Sequence, residues 1–163
     1  MYKAIISLFI ALIFGGCSML LTPQERAFNK DSEAVKFLIK KASLSDSDRL
    51  IVATFYDIDD LEKSSTFGRS LTENVIKNFV DNGIKVYEIK LRKNLIYVKK
   101  KEGEFALTRN IKKLARFYKA NYIVVGTYKI GREIIYVNLK VIDPKTSIIV
   151  ASYDYTVDRY NRI

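Results

Sequence analysis

Cys17 is the one thiol of a 163-residue chain, and it stands directly after two glycines in the stretch LIFGGCSML. A single cysteine cannot close an internal disulfide, and the chemistry open to it is that of a nucleophile or of a modified thiol, with an inert thiol in a core helix as the last alternative. As a thiolate it can attack an activated carbon and become a thioether. The small residues before it let an extended backbone enter a narrow enzyme cleft. Other reactive groupings are thin. The chain has no histidine, which removes Ser-His-Asp triads, imidazole bases and His-ligated metals. Asp57, Asp59 and Asp60 could suggest a divalent-ion loop, but Glu62 and Gly68 stand where a calcium loop needs glycine and then glutamate. These acids read as a solvated loop that caps a helix. Gly68-Arg69 carries neither a dinucleotide nor a phosphate-loop pattern. It reads as close packing of a helix on a sheet, with Arg69 pairing to a local carboxylate. No base or nucleophile accompanies the acids, so neither an enzyme nor a cofactor or metal is expected.

The residues before the cysteine say what modifies it. Residues 1–16 read MYKAIISLFIALIFGG: one lysine, then an apolar run broken only by Ser7. That run is shorter than the roughly 20 residues a helix needs to cross a bilayer, and it has the layout of a secretory signal. Cys17 after small residues resembles a bacterial lipobox. The expectation is a signal peptide over 1–16, lipidation at Cys17 and a tether over 17–22. That tether spans roughly 17 Å at full stretch, which holds the domain close to its membrane. Ser18 after the cysteine resembles outer-membrane sorting in Gram-negative bacteria. The alternative is an uncleaved anchor continuing to Leu21, weakened by Gly15-Gly16-Cys17-Ser18 in its middle.

The elements that follow can be read from periodicity. Thr22, Pro23 and Glu25 form a capping box, and Val35, Leu38, Ile39 and Ala42 give the helix behind it an apolar stripe over about 23–42. After the polar break SLSDSD, residues 50–56 read as one strand covered on both faces. A helix capped by Ser65 or Thr66 carries Phe67, Leu71, Val75 and Phe79 in one row, with Ile76 and Val80 beside it, and ends at Asn82-Gly83. Residues 84–91 form a second strand and 95–98 a short apolar piece. Thr108 caps a third helix, and 122–128 is a third strand. A turn at 129–133, a strand with one wet face (Tyr136, Asn138, Lys140), a turn at 143–147 and a last strand from Ile149 close the chain. Residues 159–163 read as a frayed tail. The order predicts an α/β (α+β) domain: a mixed five-stranded sheet, βαβαβ followed by an antiparallel β-meander, with helices packed on the sheet. No linker suggests a second domain.

The net charge is +10. No nucleic-acid motif accompanies it, and export removes the chromosome as a partner. An anionic lipid surface or an acidic protein remains a candidate. Lys99-Lys100-Lys101 reads as a solvated edge that blocks stray strand pairing, with an anion patch as the alternative.

Three stretches together carry a resemblance: ATFYDIDDLEKSSTFGRSLTENV at 53–75, EGEFALTRNIKKLA at 102–115, and NYIVVGTYKI followed by YVNLKVIDPKTSIIVASYDY. They resemble the FlgO-type flagellar outer-membrane lipoproteins, and the element string is similar at fold level to TolB N-terminal-like domains. The resemblance implies a single FlgO-like domain over 23–163, without catalysis, in the outer membrane at the flagellar base and supporting motility. It implies flagellar outer-membrane proteins as partners, with homo-oligomerisation as a further expectation. Candidate protein-contact residues are Gly68 and Arg69, the turn Glu102-Gly103-Glu104-Phe105, and Gly126-Thr127-Tyr128. Lys99–Lys101 departs from the more acidic approach expected before that turn. A regulator of a cell-wall synthase or of an export pore is the alternative function. The short tether and the lack of long amphipathic segments outside the sheet weigh against it.

Overall fold

A computed structural model describes residues 23–60, 65–89 and 113–159. The signal segment, Cys17, the tether with Thr22, Lys99–Lys101, Glu102–Phe105, the short apolar piece at 95–98 and the Thr108 cap lie outside the described residues. The elements run α1 (Pro23–Lys41), β1 (Arg49–Ala53), β2 (Tyr56–Asp57), α2 (Thr66–Asp81), β3 (Lys85–Ile89), α3 (residues 113–117), β4 (Tyr122–Ile130), β5 (Ile134–Ile142) and β6 (Ile149–Asp158).

The sheet has the order β3-β1-β4-β5-β6, with β2 paired to β4 beyond the end of β1. Pairs β1–β3, β1–β4 and β2–β4 are parallel, whereas β4–β5 and β5–β6 are antiparallel. The predicted mixed sheet with a closing meander is therefore present. One element differs. The strand expected over 50–56 is split, because Phe55 leaves the ladder: its N–H donates to Thr72 Oγ1 at 2.9 Å, and its ring is fully buried in the core. The chain rejoins β4 at Tyr56–Thr127.

Both faces of β1 are covered, which is why it reads as an unbroken apolar run. Leu50 and Val52 join the core formed by Ala34, Val35 and Leu38 of α1 with Leu71, Val75 and Phe79 of α2. Ile51 faces the other way, against Ile123, Ala115 and Ala120. The meander alternates instead. Ile135, Val137, Leu139 and Val141 of β5 are buried, while Tyr136 is 53% exposed. Val80, expected beside the buried row of α2, is 54% exposed. The three- and four-residue spacing that buries Leu71, Val75 and Phe79 turns position 80 outward. The predicted ends of α2 hold: Ser65 is the N-cap and its Oγ accepts from Gly68 N at 2.9 Å, and Gly83 takes the left-handed φ of 83° that follows the Asn82 C-cap. Arg159 is not frayed. Its N–H donates to Glu133 O at 2.8 Å, tying the chain to the β4–β5 turn.

Strand directions give the domain two ends. β1 and β4 rise together, and α1 runs against them, since its C-terminus feeds β1 through residues 42–48. The N-terminus of α1, the β4–β5 turn and the N-terminus of α2 are therefore at one end, the upper. The α3–β4 turn and the β5–β6 turn are at the other, the lower.

Candidate functional site

Two glycines set the geometry of the upper end. A Cβ on Gly126 would lie 2.7 Å from the Phe55 ring, and one on Gly68 would lie 2.4 Å from Phe55 O. Phe55 can cross between β4 and α2 only because both positions lack a side chain. Thr72 completes the crossing: Oγ1 accepts from Phe55 N and donates to Gly68 O at 2.6 Å. Tyr128, 2% exposed, packs edge-on to Phe67 with ring centroids 4.8 Å apart. Its hydroxyl shares a short hydrogen bond with Ser65 Oγ. Burial, with a smaller push from the Asp57 and Asp60 charges, raises the Tyr128 phenol above its ordinary pKa; the Ser65 bond opposes the rise. Burial pushes the Tyr56 phenol up to about 12. Both tyrosines are neutral at physiological pH, which suits structural posts better than proton-transfer groups.

The acids after β2 are engaged locally. Asp57 Oδ1 accepts from Asp59 N at 3.0 Å, and Lys129 Nζ donates to Asp59 Oδ1 at 3.2 Å. The loop's own backbone and Lys129 use these carboxylates, as expected of a solvated loop, but they do not cap the helix: Ser65 is the N-cap of α2 and its first turn holds no acid. Among the described residues no acidic cluster has the spacing of a metal site.

Beside this packing the twisted meander forms an open concavity of about 560 Å³, bordered by Ile58, Thr127, Lys129, Tyr136, Asn138 and Asp154. Adjacent strands place these side chains in rows: Thr127 opposite Asn138 and then Asp154, and Lys129 opposite Tyr136 and then Thr156. Asn138 Nδ2 donates to Asp154 Oδ1, and Lys129 pairs with Asp59. Lys129 is thereby paired in charge, and the Asp154 carboxylate is held by a neutral amide. What is left to a partner is the ring of Tyr136, the half-exposed Ile58 and hydroxyl groups, a composition suited to protein contact.

The candidate contact residues from the sequence fall into separate classes here. Gly68 and Gly126 are buried against Phe55, and Tyr128, also buried, borders the concavity. Thr127 lines it. Arg69 is exposed on α2, where Nη2 donates to Thr66 Oγ1 at 3.1 Å. The turn at 102–105 lies outside the described residues. Tyr136 and Asn138 were legible as the wet face of a strand, but nothing in the sequence joined them to Ile58 or Asp154, because strand register and the β2–β4 pairing bring them together.

A family model described as FlgO protein matches residues 32–162. Among curated proteins none matches by sequence. The fold is similar to the LpoB C-terminal domain from Salmonella enterica, with a TM-score of 0.61 at 12% identity, covering 81% of this chain and 98% of that one. It is also similar to the LpoB C-terminal domain from Escherichia coli, with a TM-score of 0.52 at 14% identity over 78% of this chain and 97% of that one. A PelC dodecamer subunit from Paraburkholderia phytofirmans aligns with a TM-score of 0.51 at 16% identity, over 74% of this chain and 78% of that one.

Proposed function

This chain belongs to the FlgO family, and from that premise we propose that it is a non-enzymatic, lipid-anchored structural component of the flagellar outer-membrane apparatus, supporting motility in a Gram-negative envelope. The observation that carries the reading is the family match over residues 32–162, taken with a signal-like leader that ends at Cys17. The mechanism is confinement. Acyl chains on Cys17 are worth about 0.8 kcal/mol per buried CH₂, and more than one chain makes attachment stable. A short tether then holds every copy in one leaflet at high effective concentration. The candidate contact residues that reach the surface in the described region are Arg69 and Thr127, and the face around Tyr136 offers a docking area for flagellar outer-membrane proteins. Side-to-side assembly of copies is part of the proposal. A chain of similar fold forms a dodecamer, which supports that part by analogy only.

The test is genetic and structural together. A deletion strain should lose swimming speed or flagellar stability, and tomography of its flagellar base should lose density at the outer membrane. Wild-type protein should restore both and a Cys17→Ser variant should not. Normal swimming with an unchanged base would overturn the proposal. Mass spectrometry of the native chain separately tests a thioether at Cys17. The likeness to LpoB C-terminal domains favours a second reading, an envelope accessory lipoprotein that regulates a cell-wall synthase or an export pore. Under that reading the deletion alters wall growth or export and leaves the flagellar base intact.

A further inference from the structure

The lower end of the domain carries a second concavity, of about 630 Å³, between the α3–β4 turn and the β5–β6 turn, lined by Arg116, Lys119, Asn121, Pro144 and Lys145. Its backbone is pinned on both sides. Ala120 N donates to Ala115 O at 2.8 Å, and Asn121 N donates to Arg49 O at 2.8 Å. Asn121 Oδ1 accepts in return from Arg49 N at 2.9 Å. Lys119 sits in the left-handed region at φ 52°, which turns the chain sharply between helix and strand. On the other wall Asp143 is spent on its own turn: Oδ1 accepts from Lys145 N at 2.7 Å and Oδ2 from Thr146 Oγ1 at 3.0 Å. Among the described residues none of Arg116, Lys119 and Lys145 forms an ion pair with a carboxylate. Lys30, Lys77 and Lys129, by contrast, are all paired. Even counting Asp143 against Lys145, the rim keeps a positive excess, fixed on two rigid turns around a hollow.

We infer that this lower hollow receives an acidic segment of a partner protein, its carboxylates seated among Arg116, Lys119 and Lys145. Charge complementarity names the ligand, because exposed cations around a hollow are satisfied by an anionic chain that can enter it. Shape and position choose protein over lipid. A flat headgroup plane meets protruding side chains, whereas a recess between two turns is filled by a protruding segment. The position is the reverse of the anchor's: α1 is 19 residues long, about 28 Å at 1.5 Å per residue, and its first turn is at the upper end while the hollow is at the lower. This last step rests on the reading of Cys17 as the anchor; it puts the hollow on the side of the domain turned away from the anchoring leaflet.

The experiment titrates the full chain, purified in a neutral detergent, with fluorescent poly-L-glutamate and, in a parallel arm, with vesicles containing phosphatidylglycerol. Two triple variants are compared with wild type: Arg116→Gln/Lys119→Gln/Lys145→Gln, and a control of equal charge loss, Lys30→Gln/Lys36→Gln/Lys129→Gln. The expected result is salt-sensitive binding of poly-glutamate that weakens roughly tenfold or more in the first variant, about two- to fivefold per cation, and by less than about twofold in the control. Equal losses in both variants, no binding, or a loss confined to the vesicle arm would each overturn the inference. Matching circular dichroism spectra and melting midpoints confirm that the variants are folded. The titration is blind to the state of Cys17, so an unmodified thiol found by mass spectrometry fails the anchor while the poly-glutamate arm still judges the hollow.

Discussion

The hydroxyl of Tyr155, on the last strand, donates to the carboxylate of Asp31, on the first helix, and Asp31 is wholly buried. Asp31 is one of two buried polar residues in the described core, the other being Thr72. The pair ties α1, the element nearest the proposed anchor, to the far edge of the meander. Close by, Tyr153 donates to Glu33 Oε1 at 2.9 Å and packs against Phe37 with ring centroids 5.0 Å apart. A pull on the tether would therefore load this seam.

Tyr155→Phe keeps the ring and removes the donor, leaving a buried carboxylate with one partner fewer. The expected loss is about 1–3 kcal/mol, read as a lower urea midpoint with an unchanged slope. Asp31→Leu in the Tyr155→Phe background should cost less than the two single losses added together, because the pair's own contribution can be lost only once. A double-mutant cycle with no coupling would show that the pair does not act as a unit.

The two glycines behind the split strand make a sharper contrast. Gly126→Ala meets the ring of Phe55, a side chain, whereas Gly68→Ala meets the backbone oxygen of the same residue at 2.4 Å. Each should destabilise the fold by about 1–3 kcal/mol. Phe55→Ala, which removes the Cγ and both Cδ atoms that a Cβ at position 126 would meet, should relieve the first and leave the second. Melting curves of the four combinations decide the matter; equal rescue of both would mean that the obstruction at Gly68 is not with the main chain.

Much of this architecture was legible before any coordinates. The capping of α2 by Ser65, its end at Asn82-Gly83 and the alternation of β5 depend on neighbours in sequence, and the structure has them. The split of the first strand was not legible. Leu50-Ile51-Val52-Ala53-Thr54-Phe55-Tyr56 has the composition of one continuous strand, and it is the absent side chains of Gly68 and of Gly126, the latter more than seventy residues later, that make room for Phe55 to leave the ladder. The Asp31–Tyr155 bond spans 124 residues and leaves no trace in periodicity. The lower hollow was hidden for the same reason: Arg116, Lys119 and Lys145 are ordinary surface cations until the sheet register sets their two turns side by side. For Gly68 the expected close helix–sheet packing is present, and Arg69 beside it donates to Thr66 Oγ1.

Thr72 tests the crossing from its polar side. Its hydroxyl is the acceptor for Phe55 N and a donor to Gly68 O, in a buried site. Thr72→Val preserves shape and strands a buried N–H, so about 1–3 kcal/mol of stability should be lost. Thr72→Ser keeps the hydroxyl and should lose less. Urea midpoints for the two variants check this; equal losses would assign the effect to the methyl group and not to the hydrogen bonds.

Alkaline pH should reveal the half-buried phenol of Tyr56. Burial pushes it up to about 12 from an ordinary value of 10.0, so the fold favours the neutral form. Between those values the unfolded chain releases a proton that the folded chain retains. Stability from this group is complete below pH 10 and declines as pH rises toward 12. Tyr153 shifts in the same direction, chiefly through its bond to Glu33, and adds to the decline. Removing one phenol should therefore flatten the curve: Tyr56→Phe is expected to match wild type near pH 8 and to lie above the wild-type trend at high pH. The difference should be on the order of 1 kcal/mol after allowance for solvent screening. Urea midpoints for both proteins from pH 8 to pH 12 supply the measurement, and subtracting one curve from the other cancels the titration of the remaining tyrosines and lysines. Parallel curves would mean that Tyr56 ionises at the same pH in the folded and unfolded chains.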